Sequence, residues 1–165
     1  MLILGLDPGS LHTGYGLVER RGTALAALDW GRISCPRRLP LPRRLADLAG
    51  SLEQLLDRRR PDLAVLETPF HGRSSRSLIV LAEARGALLA CLARRDLEIT
   101  EYTPAEVKSA VTGNGRADKE QVARMVQILL RLNGEALAED TSDALAVAIC
   151  CAQRLRLDRL ARSLC

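Results

Sequence analysis

The chain has 165 residues, and its 24 lysines and arginines outnumber its 20 acids to give a formal net charge of +4. Hydrophobic residues make up 47% and charged residues 27%, the balance of an ordinary packed domain, which excludes disordered, collagenous and coiled-coil classes. No apolar run approaches the roughly 20 residues that cross a bilayer, and no signal sequence opens the chain, so a cytoplasmic protein without a membrane partner is expected.

The chain reads as one domain over 1–165, with the tail after about 154 left unassigned. Leu2 to Leu6 is an apolar run closed by Asp7-Pro8-Gly9, and Thr13 to Val18 then reads as the return strand of a hairpin. Thr23 to Ile33 continues as a third strand. Leu41, Leu45, Leu48, Leu52, Leu55 and Leu56 fall at helical spacing and stop at Arg60-Pro61. Asp62 to Leu66 reads as a buried strand, Thr68 to Ser77 as an exposed loop, and Arg76 to Arg95 as a helix. Leu97 to Tyr102 is a fifth strand, and Thr103-Pro104-Ala105-Glu106 carries the signature of a helix start. Thr112-Gly113-Asn114-Gly115 interrupts that helix; Asp118 to Leu132 and about Glu139 to Arg156 are two more. Three strands followed by alternating strands and helices imply an α/β fold, a mixed five-stranded sheet with helices on both faces.

Composition adds two points. The five cysteines include adjacent Cys150 and Cys151 and no C-x-x-C pair, so they read as core residues in a reducing compartment. All basic residues but Lys108 and Lys119 are Arg, and eight of them fall between Arg32 and Arg60 against three acids. That excess could track a phosphate backbone, and is equally the pattern of a solvated helix face.

Asp7 and Glu67 each sit just past the C-terminal end of an apolar strand, at the sheet edge where α/β sites form. Asp140 and Asp143 stand three apart at a helix start and share its face. Packing of that helix over the same edge would gather four carboxylates, whose repulsion a divalent cation would relieve. Oxygen-only ligands select a hard ion, Mg²⁺ or Mn²⁺, and such ions serve phosphodiester hydrolysis. Singly, each acid also reads as a turn or cap residue.

Asp7-Pro-Gly-Ser, Glu67 with Phe70, Ala84-Arg85-Gly86, Val107-Lys108 through Gly113-Asn114-Gly115 to Lys119-Glu-Gln121-Val122, and Asp140-x-x-Asp143-Ala144-Leu145-Ala146 stand in this order from Leu2 to about Gln153. Together they resemble the RuvC family of Holliday junction resolvases. The resemblance implies a ribonuclease H-like fold, a homodimer, work beside a branch-migration helicase complex, and paired nicking of four-way DNA junctions in recombination and repair. It further implies a metal-binding tetrad of Asp7, Glu67, Asp140 and Asp143, holding two Mg²⁺ ions that Mn²⁺ can replace. Glu139, next to Asp140, competes with it for the third place.

Other residues suit DNA. Phe70, the sole Phe, sits in a polar loop where an exposed ring could stack on a splayed base, or plug the loop against the core. His71, Arg73 and Arg76 extend that loop toward phosphate or sugar. Lys108 and Lys119 flank the turn holding Asn114, and compact ammonium groups beside a glycine turn suit phosphate contact or developing charge, so both join the catalytic candidates and, with Asn114, the DNA-binding ones. The helix from Arg76, with Leu78, Leu81, Ala82, Arg85, Leu89 and Leu92, offers either a dimer face or plain core. Competing readings are a ribonuclease H-like enzyme acting on RNA, an actin-like phosphate loop at Asp7-x-Gly9, and an inactive nucleic-acid-binding module.

Overall fold

Strand β1 covers Leu2–Asp7 and leads into an antiparallel ribbon of β2, His12–Arg21, and β3, Ala24–Ser34. Helix α1, Leu41–Arg59, follows, then β4, Leu63–Glu67; α2, Ser75–Ala93; β5, Glu98–Tyr102; α3, Pro104–Thr112; α4, Lys119–Leu130; and α5, Glu139–Ser163. The computed structural model describes residues 1–68, 75–132 and 134–163, with residues 156–163 as backbone only. Phe70, His71 and Arg73 therefore lie outside the described residues.

The sheet runs in the order β3-β2-β1-β4-β5, with β1, β4 and β5 parallel, β2 antiparallel to β1 and β3 antiparallel to β2. This is the mixed five-stranded α/β sheet expected from the sequence. The alternation of a strand divides each one between two cores. Leu4, Leu6, Ala64 and Leu66 face α1 and α2, whereas Ile3, Leu63 and Val65 face α3, α4 and α5. By the same period of two, Asp7 and Glu67 fall on the α5 side.

Helix α5 explains the acids' placement more than any other element. Ala144 to Ala152 are all buried, none more than 1% exposed, so it is apolar all round and runs through the middle of its layer. It lies against β1 and β2 because Gly5, Gly14 and Gly16 clear the way. A Cβ on Gly5 would stand 2.0 Å from the Ala144 carbonyl oxygen, and one on Gly14 would stand 1.9 Å from that of Asp140. The helix is also longer than its sequence pattern suggested, extending to Ser163.

Two short helices owe their limits to caps. Thr103 with Glu106 and Asp118 with Gln121 each form a reciprocal capping box, and Gly113 closes α3 in the left-handed region at φ 78°. Cys35, Cys91, Cys150 and Cys151 are free and buried. Among the described residues no helix is long and apolar enough to cross a membrane.

Candidate active site

Asp7 and Glu67 prove to be the last residues of β1 and β4 rather than the first beyond them. The two strands pair in parallel with a constant offset, Ile3 with Leu63 through Leu6 with Leu66. The next step in that register sets Asp7 beside Glu67, a strand spacing of about 4.8 Å away. Asp140 and Asp143 come from the first turn of α5, carried there by the close contact over Gly14. All four line one cleft of about 370 Å³, together with Lys108, Lys119, Glu139 and Arg32.

The electrostatics show a concentration of unbalanced negative charge. Burial, then the charges of Asp143, Glu67 and Asp140, push the Asp7 carboxyl up to about 7, with Lys119 pulling the other way. Burial raises Glu67 as well, reinforced by Asp143 and opposed by Lys108 and Lys119. Asp143 is likewise raised by burial, against the pull of Lys119. Carboxyls held above their ordinary range in a shared cleft are the environment that a hard cation relieves. The donor set, oxygen only and without His or Cys, suits Mg²⁺ or Mn²⁺.

Among the described residues, however, no three such side chains already close into a cage. Two of the acids are engaged by cations of the chain itself. Arg32 Nε reaches Asp140 Oδ2 at 2.7 Å and Oδ1 at 3.0 Å. Lys119, first residue of α4, pairs with Glu139 and lies 3.8 Å from Asp143 Oδ2. Glu139 holds its carboxyl low through that lysine and is 68% exposed, whereas the Asp140 side chain is 14% exposed. Both neighbours line the cleft, but Asp140 is the more enclosed of the two and pairs with Arg32, whereas Glu139 sits at the exposed rim on Lys119.

A buried arginine fixes the Glu67 end. Arg85 of α2 donates from Nη1 to the Glu67 carbonyl oxygen at 2.9 Å and pairs through Nη2 with Glu101 of β5. It is thus a structural clamp on the acid-bearing strand rather than part of an outer helix face, and Leu92 is likewise core, fully buried. The exposed apolar part of α2 is its first half, with Ile79 59% exposed.

The remaining expected residues divide. Lys108 projects from α3 into the cleft. Asn114 does not line it: its Oδ1 accepts from the Arg116 amide at 3.0 Å, an Asx turn that shapes the connection between α3 and α4. Arg76 is exposed in the first turn of α2. Arg32 is a cleft residue with no motif of its own in the sequence. Its signal was present only as the first of the arginines counted between 32 and 60, and its role depends on a register that the sequence does not display. Of that run, Arg59 is paired with Asp29.

The family model for crossover junction endodeoxyribonuclease RuvC matches residues 3–151. A crossover junction endodeoxyribonuclease RuvC of Moorella thermoacetica is 45% identical over 150 residues, covering 91% of this chain and 90% of the relative. Among solved structures, T. thermophilus RuvC in complex with Holliday junction substrate superposes with a TM-score of 0.90 at 30% identity, covering 96% of each chain. The yeast mitochondrial Holliday junction resolvase gives 0.75 at 15% identity, covering 99% of this chain and 82% of that one, which is a likeness of fold alone.

Proposed function

The chain belongs to the crossover junction endodeoxyribonuclease RuvC family and acts as a Holliday junction resolvase; we propose that its cleft does so with Asp7, Glu67, Asp140 and Asp143 as the ligands of two Mg²⁺ ions. The observation that carries this reading is the set of raised carboxyls, Asp7 foremost, at the C-terminal ends of β1 and β4 under the first turn of α5. Bound there, the ions would supply a water of lowered pKa and charge stabilisation for an in-line displacement at phosphorus. Mn²⁺, a hard ion of similar preference, would substitute.

The chain's own residues do the rest. Asp7 and Glu67 root their carboxylates at fixed backbone positions, because each ends a hydrogen-bonded strand. Lys119 and Lys108, both close enough to temper the acids' charge, offset the charge that a DNA phosphate brings into an acidic cleft. Phe70, His71, Arg73 and Arg76 would grip the opened junction next to Glu67, with Phe70 stacking on a splayed base. Asn114 would contribute through the backbone turn it shapes. A homodimer, resembling a junction in its two-fold symmetry, would present two such clefts to opposed strands, and a branch-migration helicase complex would deliver the junction. The likeness to relatives gives no support to RNA as the substrate.

Cleavage of a synthetic mobile four-way junction, beside linear duplex and an RNA–DNA hybrid, tests the reading. Symmetric nicks confined to the junction are expected with Mg²⁺ and none with EDTA. Asp7→Asn, Glu67→Gln, Asp140→Asn and Asp143→Asn should each lower cutting by at least about a thousandfold while junction binding persists. Any one of them cutting at the parent's rate removes that residue from the ligand set.

A further inference from the structure

Arg32 is a cation in the wall of the cleft for which the four acids leave no obvious task. It stands on β3, the edge strand, paired across the ribbon with Gly14. Gly14 is bare because the Asp140 carbonyl oxygen occupies the space of its missing Cβ. A side chain on β3 can therefore reach over β2 to the first turn of α5. Thr141 Oγ1 ties that turn to the residue before Arg32, donating to the Gly31 carbonyl oxygen at 3.0 Å.

The contact with Asp140 runs through Nε alone, at 2.7 and 3.0 Å to the two carboxylate oxygens. A guanidinium has five N–H donors, so the four on its Nη atoms take no part in it. The side chain is 37% exposed while lining the cleft. A planar fork of this kind can serve two anions from two edges, which a lysine ammonium cannot do with the same geometry. Asp140 supplies one anion, and the phosphodiester that must enter the cleft supplies the other.

We propose that Arg32 is a further catalytic residue of the nuclease, its Nε edge fixing Asp140 and its Nη edge taking a backbone phosphate of the strand that is cut. This rests on the resolvase reading and deepens it, because it places the phosphate register on the β3 side of the cleft, where neither Lys108 nor Lys119 is rooted. Asp140 is then oriented and the substrate strand positioned by one group, so errors in one are felt by the other.

The test is junction binding in EDTA across a range of salt for the parent, Arg32→Gln, Asp140→Asn and the double variant, followed by single-turnover cutting with Mg²⁺. Loss of one phosphate contact lowers the slope of log Kobs against log salt by about 0.9. Arg32→Gln should show that loss both in the parent and in the Asp140→Asn background, and its cutting rate at saturating junction should fall by about tenfold or more. Arg32→Lys should recover the slope but little of the rate, since it keeps the charge without the fork. An unchanged slope in the Asp140→Asn background overturns the phosphate contact and leaves Arg32 acting on Asp140 alone. A parent that neither binds nor cuts the junction overturns the resolvase reading and this inference with it, whereas normal parental activity with unaltered Arg32 variants overturns only the inference.

Discussion

Asp7 bears the heaviest electrostatic load of the acids, and its burial makes the metal-free chain sensitive to pH in an unusual direction. With its folded carboxyl up at about 7 against an ordinary value of 3.8, the folded state holds a proton through a range in which the unfolded chain releases it. The folded state thus binds more protons, and stability falls as pH rises from about 4 to about 7. Glu67 and Asp143, raised for the same cause, add to the trend. In EDTA the melting temperature should drop across this window by several degrees, at roughly 2–4 °C per kcal/mol for a chain of this size. Asp7→Asn removes the penalty. It should melt above the parent at pH 8, lose that advantage toward pH 4, and gain less from added Mg²⁺; melts followed by circular dichroism at the three conditions decide. A variant no more stable than the parent at pH 8 would show that Asp7 is not where the charge is stored. Function has in this sense been placed against stability.

At the scale of elements, the contact of α5 with the bare strands is the joint on which the site depends. Gly14→Ala puts a methyl group into the Asp140 carbonyl oxygen, a backbone atom that cannot swing aside. The cost should reach or exceed the upper end of the roughly 1–3 kcal/mol usual for overpacking, read from the denaturation midpoint, and should come with weakened Mg²⁺ binding because Asp140 rides on the displaced turn. Equal Mg²⁺ binding in a destabilised variant would separate the joint from the site. Much at this scale is legible in the chain. Thr103 with Glu106 announces α3, and Asp7 and Glu67 stand out because a carboxylate ending an apolar run has little reason to be there for packing. Their shared face follows from counting by twos. What cannot be read is what depends on pairing between distant segments. Arg32 reaches Asp140 only because β3 pairs with β2 at Gly14, and a β-bulge between Leu17 and Val18 shifts the rest of that register. Arg85 resembles any helical arginine until β4 and β5 are laid beneath it. The end of α5 escaped for a different reason: its later residues are too polar for an apolar period to mark them.

For the whole molecule, the symmetry of the substrate sets a test that no single cleft can pass. If two chains act as a dimer on opposed strands, a mixture of parent and Asp7→Asn chains should convert junctions into singly nicked products, in proportion to the mixed dimers formed. Denaturing and native gels run on one sample distinguish this from full resolution at reduced speed, which is what independent monomers would give. The exposed first half of α2, around Ile79, is the apolar surface closest in sequence to the proposed DNA loop, and Ile79→Glu should abolish mixed products along with the dimer.

The burial of the middle of α5 on every side also bears on which partner does the bending. A turn mounted on Ala144 to Ala152, none of which reaches solvent appreciably, has no slack with which to follow a substrate's contour. The nucleic acid has to conform to the enzyme. Bending an intact duplex by 40–90° costs on the order of 1–6 kcal/mol, whereas the arms of a branch point meet at a joint and can change their mutual angle without bending any one duplex. A mount of this kind would favour forked over linear DNA without any reading of bases, as a mechanical filter that admits the substrate cheapest to deform.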